Sequence, residues 1–190
     1  MQPVEGERLP ADIGATGYSN DFANAKMVMF IGRSYGDGIR PSSVQSLADA
    51  AEHGTRVVIV DPRLNNSGIF ASDWVPINPG TDLALLMAMA NVLIEEDLYD
   101  HDFVEQNTYG FEEFAEQAKE YTPSGREDHR RPGRGHPGAC PLHGESGSGG
   151  FHRVGLRSVI GCSHKNSFET ARAITAINSL LAAGARRAAR

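Results

Sequence analysis

The feature that most constrains this chain is an unbroken apolar run at 57–60, VVIV, followed at once by DPR at 61–63. A short β-branched run without polar alternation is typical of a strand buried on both faces of a parallel sheet. Pro62 cannot donate a backbone hydrogen bond and favours an extended Asp61, so the strand is predicted to end there. A carboxylate directly after such a strand lies where open α/β sheets bind ligands. From composition alone, an ordinary strand and loop without a ligand remains the more common explanation.

A second apolar run, MVMFI at 27–31, predicts another strand of the same kind. It ends at Gly32 and leads through a glycine-bearing loop to a helix, predicted from about residue 42 to residue 53. Gly54 is expected to end this helix. Strand, loop, helix and strand form one βαβ unit, which implies a right-handed crossover and a parallel sheet.

Downstream, the pattern predicts a short strand at 73–77 and a long apolar helix that begins at Asp82. Thr81 or Asp82 is expected to bind the free amides of its first turn. Further elements are predicted as two helices between about 103 and 121, a strand at 158–161 and a helix from 167 to about 183. The predicted fold class is therefore α/β, with three layers and a mainly parallel sheet.

Composition argues against several functional classes. A formal net charge of −6 over 190 residues gives no support to nucleic-acid binding, which usually needs a basic face. Cys140 and Cys162 form no CxxC motif, so the sequence indicates neither a disulfide framework nor a zinc or iron–sulfur site. The first ten residues lack a signal-peptide pattern, and no apolar run reaches the ~20 residues that span a bilayer. We expect a soluble chain of about one domain without an export address.

Several words in the sequence, in this order and spacing, resemble the molybdopterin oxidoreductase family: DPR, WVPINPGTD, LLMAMANVLIEEDLYDHDFV and YGFEEF. DPR together with PGTD and the following helix is a specific signal, whereas either word alone is weak. FIGRSYGDGIRPSSVQ and NSFETARAITAIN are most similar to the catalytic subunits of thiosulfate and polysulfide reductases. The resemblance covers roughly residues 22–123 and 157–181.

The resemblance implies a Rossmann-like domain at 25–123, completed by a strand and helix at 157–182, that holds one molybdopterin guanine dinucleotide. The longer parent enzyme would carry molybdenum or tungsten and a 4Fe-4S cluster. It would reduce an inorganic sulfur compound such as thiosulfate or polysulfide, with electrons from an iron–sulfur subunit beside a membrane-anchor subunit. Such a parent is expected to be periplasmic or membrane-associated, in a prokaryote. The CxxCxxxC motif does not occur here, so this chain alone is expected to be inactive, with no catalytic residue or metal ligand.

The same resemblance implies a set of cofactor-binding residues. Asp61 would accept hydrogen bonds from the guanine or its ribose, and Arg63 would help to fix that end of the nucleotide. The Asp82 carboxylate would accept from the guanine N1 and N2 donors, in a second guanine-facing loop. Arg63 as a surface ion pair and Asp82 as a helix cap are the alternatives. The full implied set is Gly32, Arg33, Ser34, Asp61, Arg63, Gly80 and Asp82.

Three segments fit the resemblance poorly. Residues 1–24 are polar and are predicted to form a loop, the remnant of an N-terminal region. Residues 124–156 are rich in Gly, Pro, Arg and His and are expected to have little order. If codons 125 to 144 are read from the second base, degeneracy permits KITGVPAEDIPALARSMA, which the family would have there. A shift near Ala182 likewise permits GGWGQKGG, so we hypothesise that 124–156 and 183–190 are frameshifted.

Two other functional classes remain open at this point. A nicotinamide- or flavin-dependent oxidoreductase is disfavoured, because GRSYGDG after the first strand lacks the GxGxxG spacing. A non-catalytic protein, such as an assembly or storage partner for the cofactor or a gene remnant, is the second class. Within the family, arsenate, nitrate, formate or dimethyl-sulfoxide chemistry is the alternative to sulfur-compound reduction.

Overall fold

The computed structural model describes residues 22, 25–39, 41–121, 150–152 and 166–182. Four strands form one sheet in the order β3-β2-β1-β4, and every pairing is parallel. The strands are β1 Met27–Ile31, β2 Arg56–Val60, β3 Asp73–Val75 and β4 Gly150–His152. β2 and β3 lie on one side of β1 and β4 lies on the other, so the strand order changes direction at β1. In open α/β sheets, ligands bind beyond the carboxyl ends of the strands at such a switch point.

Five helices connect or cover these strands. They are α1 Pro41–Glu52, α2 Asp82–Glu95, α3 His101–Asn107, α4 Phe111–Lys119 and α5 Ser167–Leu180. Two short turns lie at the carboxyl edge of the sheet: a π-helical turn, Tyr35–Ile39, follows β1, and a 3-10 turn, Asn66–Phe70, follows β2.

The two central strands separate two apolar cores, because alternate side chains of a strand point to opposite faces. On one face, Met29 and Val58 pack with α2 and α5. On the other face, Phe30 and Ile59 pack with Leu47 of α1. All five residues of β1 are buried, as the continuous apolar run predicts. The sheet therefore has helices on both faces, and the predicted α/β class with three layers is confirmed.

Helix ends show one confirmed prediction and one correction. Gly54 adopts a φ of +89°, the left-handed conformation that a terminating glycine supplies, two residues after the last residue of α1. Thr81 occupies the position before α2, but its side chain makes no capping hydrogen bond. Its hydroxyl instead donates to the Asn78 carbonyl oxygen at 2.9 Å, so of the two residues predicted for this role, Thr81 does not cap α2. Asp82 is the first residue of α2, where its charge still favours the helix dipole.

The strand boundaries follow local chemistry. The strand predicted at 73–77 ends at Val75, because Pro76 has no N–H to donate to the sheet. β4 lies within 124–156, where little order was expected; it pairs beside β1 through backbone groups that do not depend on a particular side-chain sequence. Of the segment 124–156, the structure describes these three residues alone, so the expected low order stays a prediction for the rest. The strand predicted at 158–161 lies outside the described residues, as does the tail at 183–190.

Candidate functional site

The predicted site residues follow the carboxyl ends of three neighbouring strands. Ile31 of β1 is level with Val60 of β2, and Val60 is level with Val75 of β3. The residues that come next, Gly32 and Asp61, therefore emerge side by side at one edge of the sheet. This edge is where a parallel α/β sheet offers backbone groups and loop side chains to a ligand.

Gly32 gives the first loop its direction. Its φ is +60°, a conformation that residues with a Cβ rarely adopt, and its N–H donates to the Val60 carbonyl oxygen at 2.8 Å. No atom lies within 4 Å of the place that a Cβ would occupy. The backbone is therefore open to close approach by a ligand on this side.

The Asp61 carboxylate is held in one orientation by its own loop. Oδ1 accepts from the Arg63 backbone N–H at 3.0 Å, and Oδ2 accepts from Asn65 Nδ2 at 3.0 Å. The Asp61 carbonyl oxygen accepts from Trp74 Nε1 at 3.0 Å, which ties the same residue to β3. Asp61 is only half-buried, and each carboxylate oxygen keeps a further lone pair for an incoming donor.

Asn65 joins the two loops and was not identified from the sequence. It is 4 % exposed, and its Nδ2, besides holding Asp61, lies 3.4 Å from the Arg33 carbonyl oxygen. Its Oδ1 accepts from the Ser67 N–H at 3.0 Å and so caps the 3-10 turn. An asparagine whose side chain binds the backbone two residues ahead is a common turn signal, and the NNSG motif at 65–68 contains it.

Ser67 is the second residue that sequence reasoning missed. It is fully buried, and its Oγ lies 2.8 Å from the Tyr35 amide nitrogen and 3.0 Å from the Gly36 amide nitrogen. The Ser34 hydroxyl lies 3.2 Å from the same oxygen. The loop after β1 is therefore built around a side chain from the loop after β2.

Charged side chains line the outer part of this site. Arg63 Nη2 lies 3.4 Å from Asp37 Oδ2, and the Arg63 side chain is 75 % exposed. Asn66 donates to the other Asp37 oxygen. An exposed pair of this kind adds little stability, so Arg63 can exchange Asp37 for an anionic ligand at small cost. The Arg33 guanidinium lies 4.7 Å from the centre of the Tyr35 ring, a cation–π contact that orients it.

Gly80 and Asp82 reach the same edge by a separate route. They follow β3 after a short loop, in which Gly80 adopts a φ of +88°. Asp82 is partly buried at the start of α2. Among the residues that the structure describes, no hydrogen bond or ion pair links the Asp82 carboxylate to Asp61. The structure thus interlocks the first two loops through side-chain hydrogen bonds, and Gly80 and Asp82 follow the carboxyl end of the third strand.

Two other features are absent from the described ranges. Within them, no three His, Cys, Asp or Glu side chains come together in a way that could hold a metal ion. None of the described helices has the length and apolar character needed to cross a membrane.

Comparison with known proteins places this architecture. Thiosulfate reductase molybdopterin-containing subunit PhsA of Salmonella typhimurium is 43 % identical over 103 residues, which are 54 % of this chain and 14 % of PhsA. Formate dehydrogenase H of Escherichia coli is 34 % identical over 109 residues, 57 % of this chain and 15 % of that protein. The solved structure of acetylene hydratase from Pelobacter acetylenicus matches 87 % of this chain and 22 % of its own, with a TM-score of 0.72 and 27 % identity.

The chain therefore spans about one seventh of the length of these curated relatives, since the matched share is 14 % to 15 %. The family model described as molybdopterin oxidoreductase matches residues 6–187, which is nearly the whole chain. This chain belongs to the molybdopterin oxidoreductase family.

Proposed function

We propose that this chain binds the guanine dinucleotide end of a molybdopterin cofactor and forms part of the catalytic subunit of a molybdenum or tungsten oxidoreductase. The observation that carries the proposal is the Asp61 carboxylate, which Asn65 and the Arg63 N–H hold beside the open backbone at Gly32. A fixed carboxylate next to accessible backbone suits a nucleotide, because the carboxylate can bind the base while the backbone amides approach the phosphates.

The residues of the site fit the chemistry of such a group. A carboxylate offers paired acceptors for the adjacent N1 and N2 donors of guanine, and adenine has no matching pair of donors. Arg33 would supply positive charge for the pyrophosphate, and Arg63 would help to fix the guanine and ribose end of the nucleotide. Gly80 and Asp82 would form the second guanine-facing loop at the same edge. When bound, the cofactor and its metal would supply the redox chemistry, whereas the protein binds and orients them.

The substrate of the longer parent enzyme is proposed to be an inorganic sulfur compound such as thiosulfate or polysulfide. The 43 % identity to a thiosulfate reductase subunit supports this choice. A parent of this kind would hold a 4Fe-4S cluster and work with an iron–sulfur subunit and a membrane-anchor subunit, at or outside the cytoplasmic membrane. Similarity to a formate dehydrogenase and an acetylene hydratase keeps other chemistry as the alternative.

Nucleotide binding by the 190-residue chain tests the cofactor half of the proposal. Isothermal titration calorimetry should give tighter binding of guanosine diphosphate (GDP) than of adenosine diphosphate. Asp61→Asn replaces one acceptor by a donor, so it should lower the GDP preference by roughly tenfold, or about 1.4 kcal/mol. Asp73→Asn is the matched control, because Asp73 lies at the opposite edge and pairs with Arg56. Equal affinity for the two nucleotides in the unmodified chain would contradict the proposal.

The genes beside the coding sequence test the partner and substrate half. Open reading frames for a ferredoxin-like protein and a membrane anchor are expected next to it. Upstream sequence that encodes a CxxCxxxC motif is expected as well. A neighbourhood with none of these, or with genes of a formate-processing system, argues for the alternative chemistry instead.

A further inference from the structure

The hydrogen bonds around Ser67 decide which hydroxyl donates in the Ser34–Ser67 pair. Ser67 Oγ is within hydrogen-bond distance of three groups: the Tyr35 N–H, the Gly36 N–H and the Ser34 hydroxyl. A serine hydroxyl has two lone pairs and one proton. The two backbone N–H groups can only donate, so together they occupy both lone pairs of Ser67.

The third contact must therefore use the proton of Ser67. If Ser34 donated instead, three donors would compete for two lone pairs, and the buried Ser67 proton would have no acceptor. Ser34 Oγ is thus the acceptor of this pair, and its own proton is left to point elsewhere. Within the described part of the chain, the contact with Ser67 is the one hydrogen bond of the Ser34 side chain.

We propose that Ser67 is a positioning residue that turns the Ser34 hydroxyl into a hydrogen-bond donor toward the pyrophosphate oxygens of the bound cofactor. This inference rests on the proposed function and names a contact within that site. Ser34 is 7 % exposed and follows β1 at the carboxyl edge of the sheet, beside the open backbone of Gly32. A Ser34 hydroxyl that donates its proton can bind an anionic phosphate oxygen, because such an oxygen can only accept a hydrogen bond.

Ser67 itself is too deeply buried to touch the ligand. It is 0 % exposed, and the turn that carries it is capped by Asn65. Its effect on binding would therefore pass through Ser34 and through the amides of Tyr35 and Gly36. Asn65 and Ser67 together make the direction of the Ser34 proton a property of the folded loops, present before the nucleotide arrives.

Neutron diffraction from deuterium-exchanged crystals of the 190-residue chain reads the proton direction without any ligand. The expected map has the Ser67 deuterium between the two hydroxyl oxygens and the Ser34 deuterium pointing away from Ser67. A deuterium on Ser34 that points at Ser67 would overturn the proposal, whatever the chain binds.

Calorimetry with GDP and guanosine then tests the ligand contact. Ser34→Ala should weaken the binding of GDP by roughly tenfold. It should leave the affinity for guanosine unchanged, because guanosine has no phosphate. Ser34→Thr, which keeps the hydroxyl, should retain most of the GDP affinity. Ser67→Ala should weaken GDP binding, and the double variant should lose less affinity than the sum of the two single losses, because the two changes share the hydrogen bond between Ser67 and Ser34. Ser72→Ala is the control, since its hydroxyl also accepts a backbone N–H, from Val57, but at the opposite edge.

The outcomes separate this inference from the proposed function. If the unmodified chain binds no GDP, the proposed function fails and the phosphate contact fails with it. If the chain binds GDP and Ser34→Ala binds it equally well, the inference alone is overturned. Circular dichroism checks that Ser67→Ala folds; if it does not, Ser34→Ala still decides the result, because it leaves both amide contacts of Ser67 in place.

Discussion

At the scale of single residues, the site depends on how closely its first two loops approach each other. A Cβ added at Gly36 would lie 2.6 Å from the Asn66 carbonyl carbon and 2.8 Å from the Ser67 amide nitrogen. These are backbone atoms, which cannot rotate aside as a side chain could. Glycine is therefore required at this position for packing, whereas Gly32 is required for its positive φ.

Gly36→Ala is expected to lower the free energy of unfolding by about 1–3 kcal/mol, the usual cost of inserting atoms into a packed contact. Urea unfolding of the 190-residue chain measures it. The matched control is Gly32→Ala, whose Cβ would meet no atom within 4 Å. The control should cost only the strain of its backbone conformation, about 1–2 kcal/mol. A Gly36→Ala chain as stable as the unmodified one would show that the loops do not pack as described.

Asn65→Ala removes the side chain that joins the two loops. It leaves the buried Ser67 N–H without its acceptor and the Asp61 carboxylate without one of its donors. A loss of about 1–3 kcal/mol in unfolding free energy is expected, because a buried amide without a partner keeps its full desolvation cost. Asn66→Ala is the control at the next position, where the side chain is exposed, and should change stability by less than about 0.5 kcal/mol. Equal effects of the two substitutions would contradict the role of Asn65.

Sequence reasoning could predict the site residues whose role follows from position, and it missed those whose role follows from contact. Asp61 stands directly after a buried strand, so its location at the carboxyl edge was predictable. Ser67, and Asn65 where it reaches the Arg33 carbonyl oxygen, contact residues 31 to 33 positions earlier in the chain. Which amides a buried hydroxyl meets depends on how two loops fold against each other, and a single sequence does not state that.

At the scale of elements, the apolar runs predicted the two strands whose side chains are buried on both faces of the sheet. The strand at 27–31 was predicted to the residue, and β2 begins one residue earlier than predicted, at Arg56. Both runs are buried on both faces, so their apolar pattern has one consistent explanation. β4 was not predicted, because its pairing depends on the open edge of β1 and not on its own composition. Helix α5 closes the same face of the sheet as α2.

The contact between α2 and α5 offers a prediction at this scale. Ile174 of α5 is 1 % exposed and packs in the same core as Leu86 and Leu93 of α2. Ile174→Ala should lower the free energy of unfolding by about 2–5 kcal/mol, because it removes buried methyl groups and leaves a cavity. Ile69→Ala is the control, since Ile69 is 82 % exposed and should be close to neutral. Similar unfolding curves for the two variants would mean that α5 does not complete this core.

At the scale of the whole molecule, the family match and the described structure cover different amounts of the chain. The family model spans residues 6–187, while PhsA aligns over 103 residues. The two segments hypothesised to be frameshifted, 124–156 and 183–190, lie outside the described residues except at β4. A reading-frame change would explain why family words resume after 157, because a second change restores the original frame.

The coding DNA tests this hypothesis directly. Read from the second base, the DNA within codons 125 to 144 should spell KITGVPAEDIPALARSMA or a close variant, and a shifted frame near Ala182 should spell GGWGQKGG. The codons of residues 57–82 serve as the control: shifted by the same amount, they should give no family-like words, because that stretch already resembles the family in its own frame. If the codons of one segment are incompatible with its shifted peptide, the frameshift hypothesis is wrong for that segment. Family assignment would stand, since it rests on the match across residues 6–187.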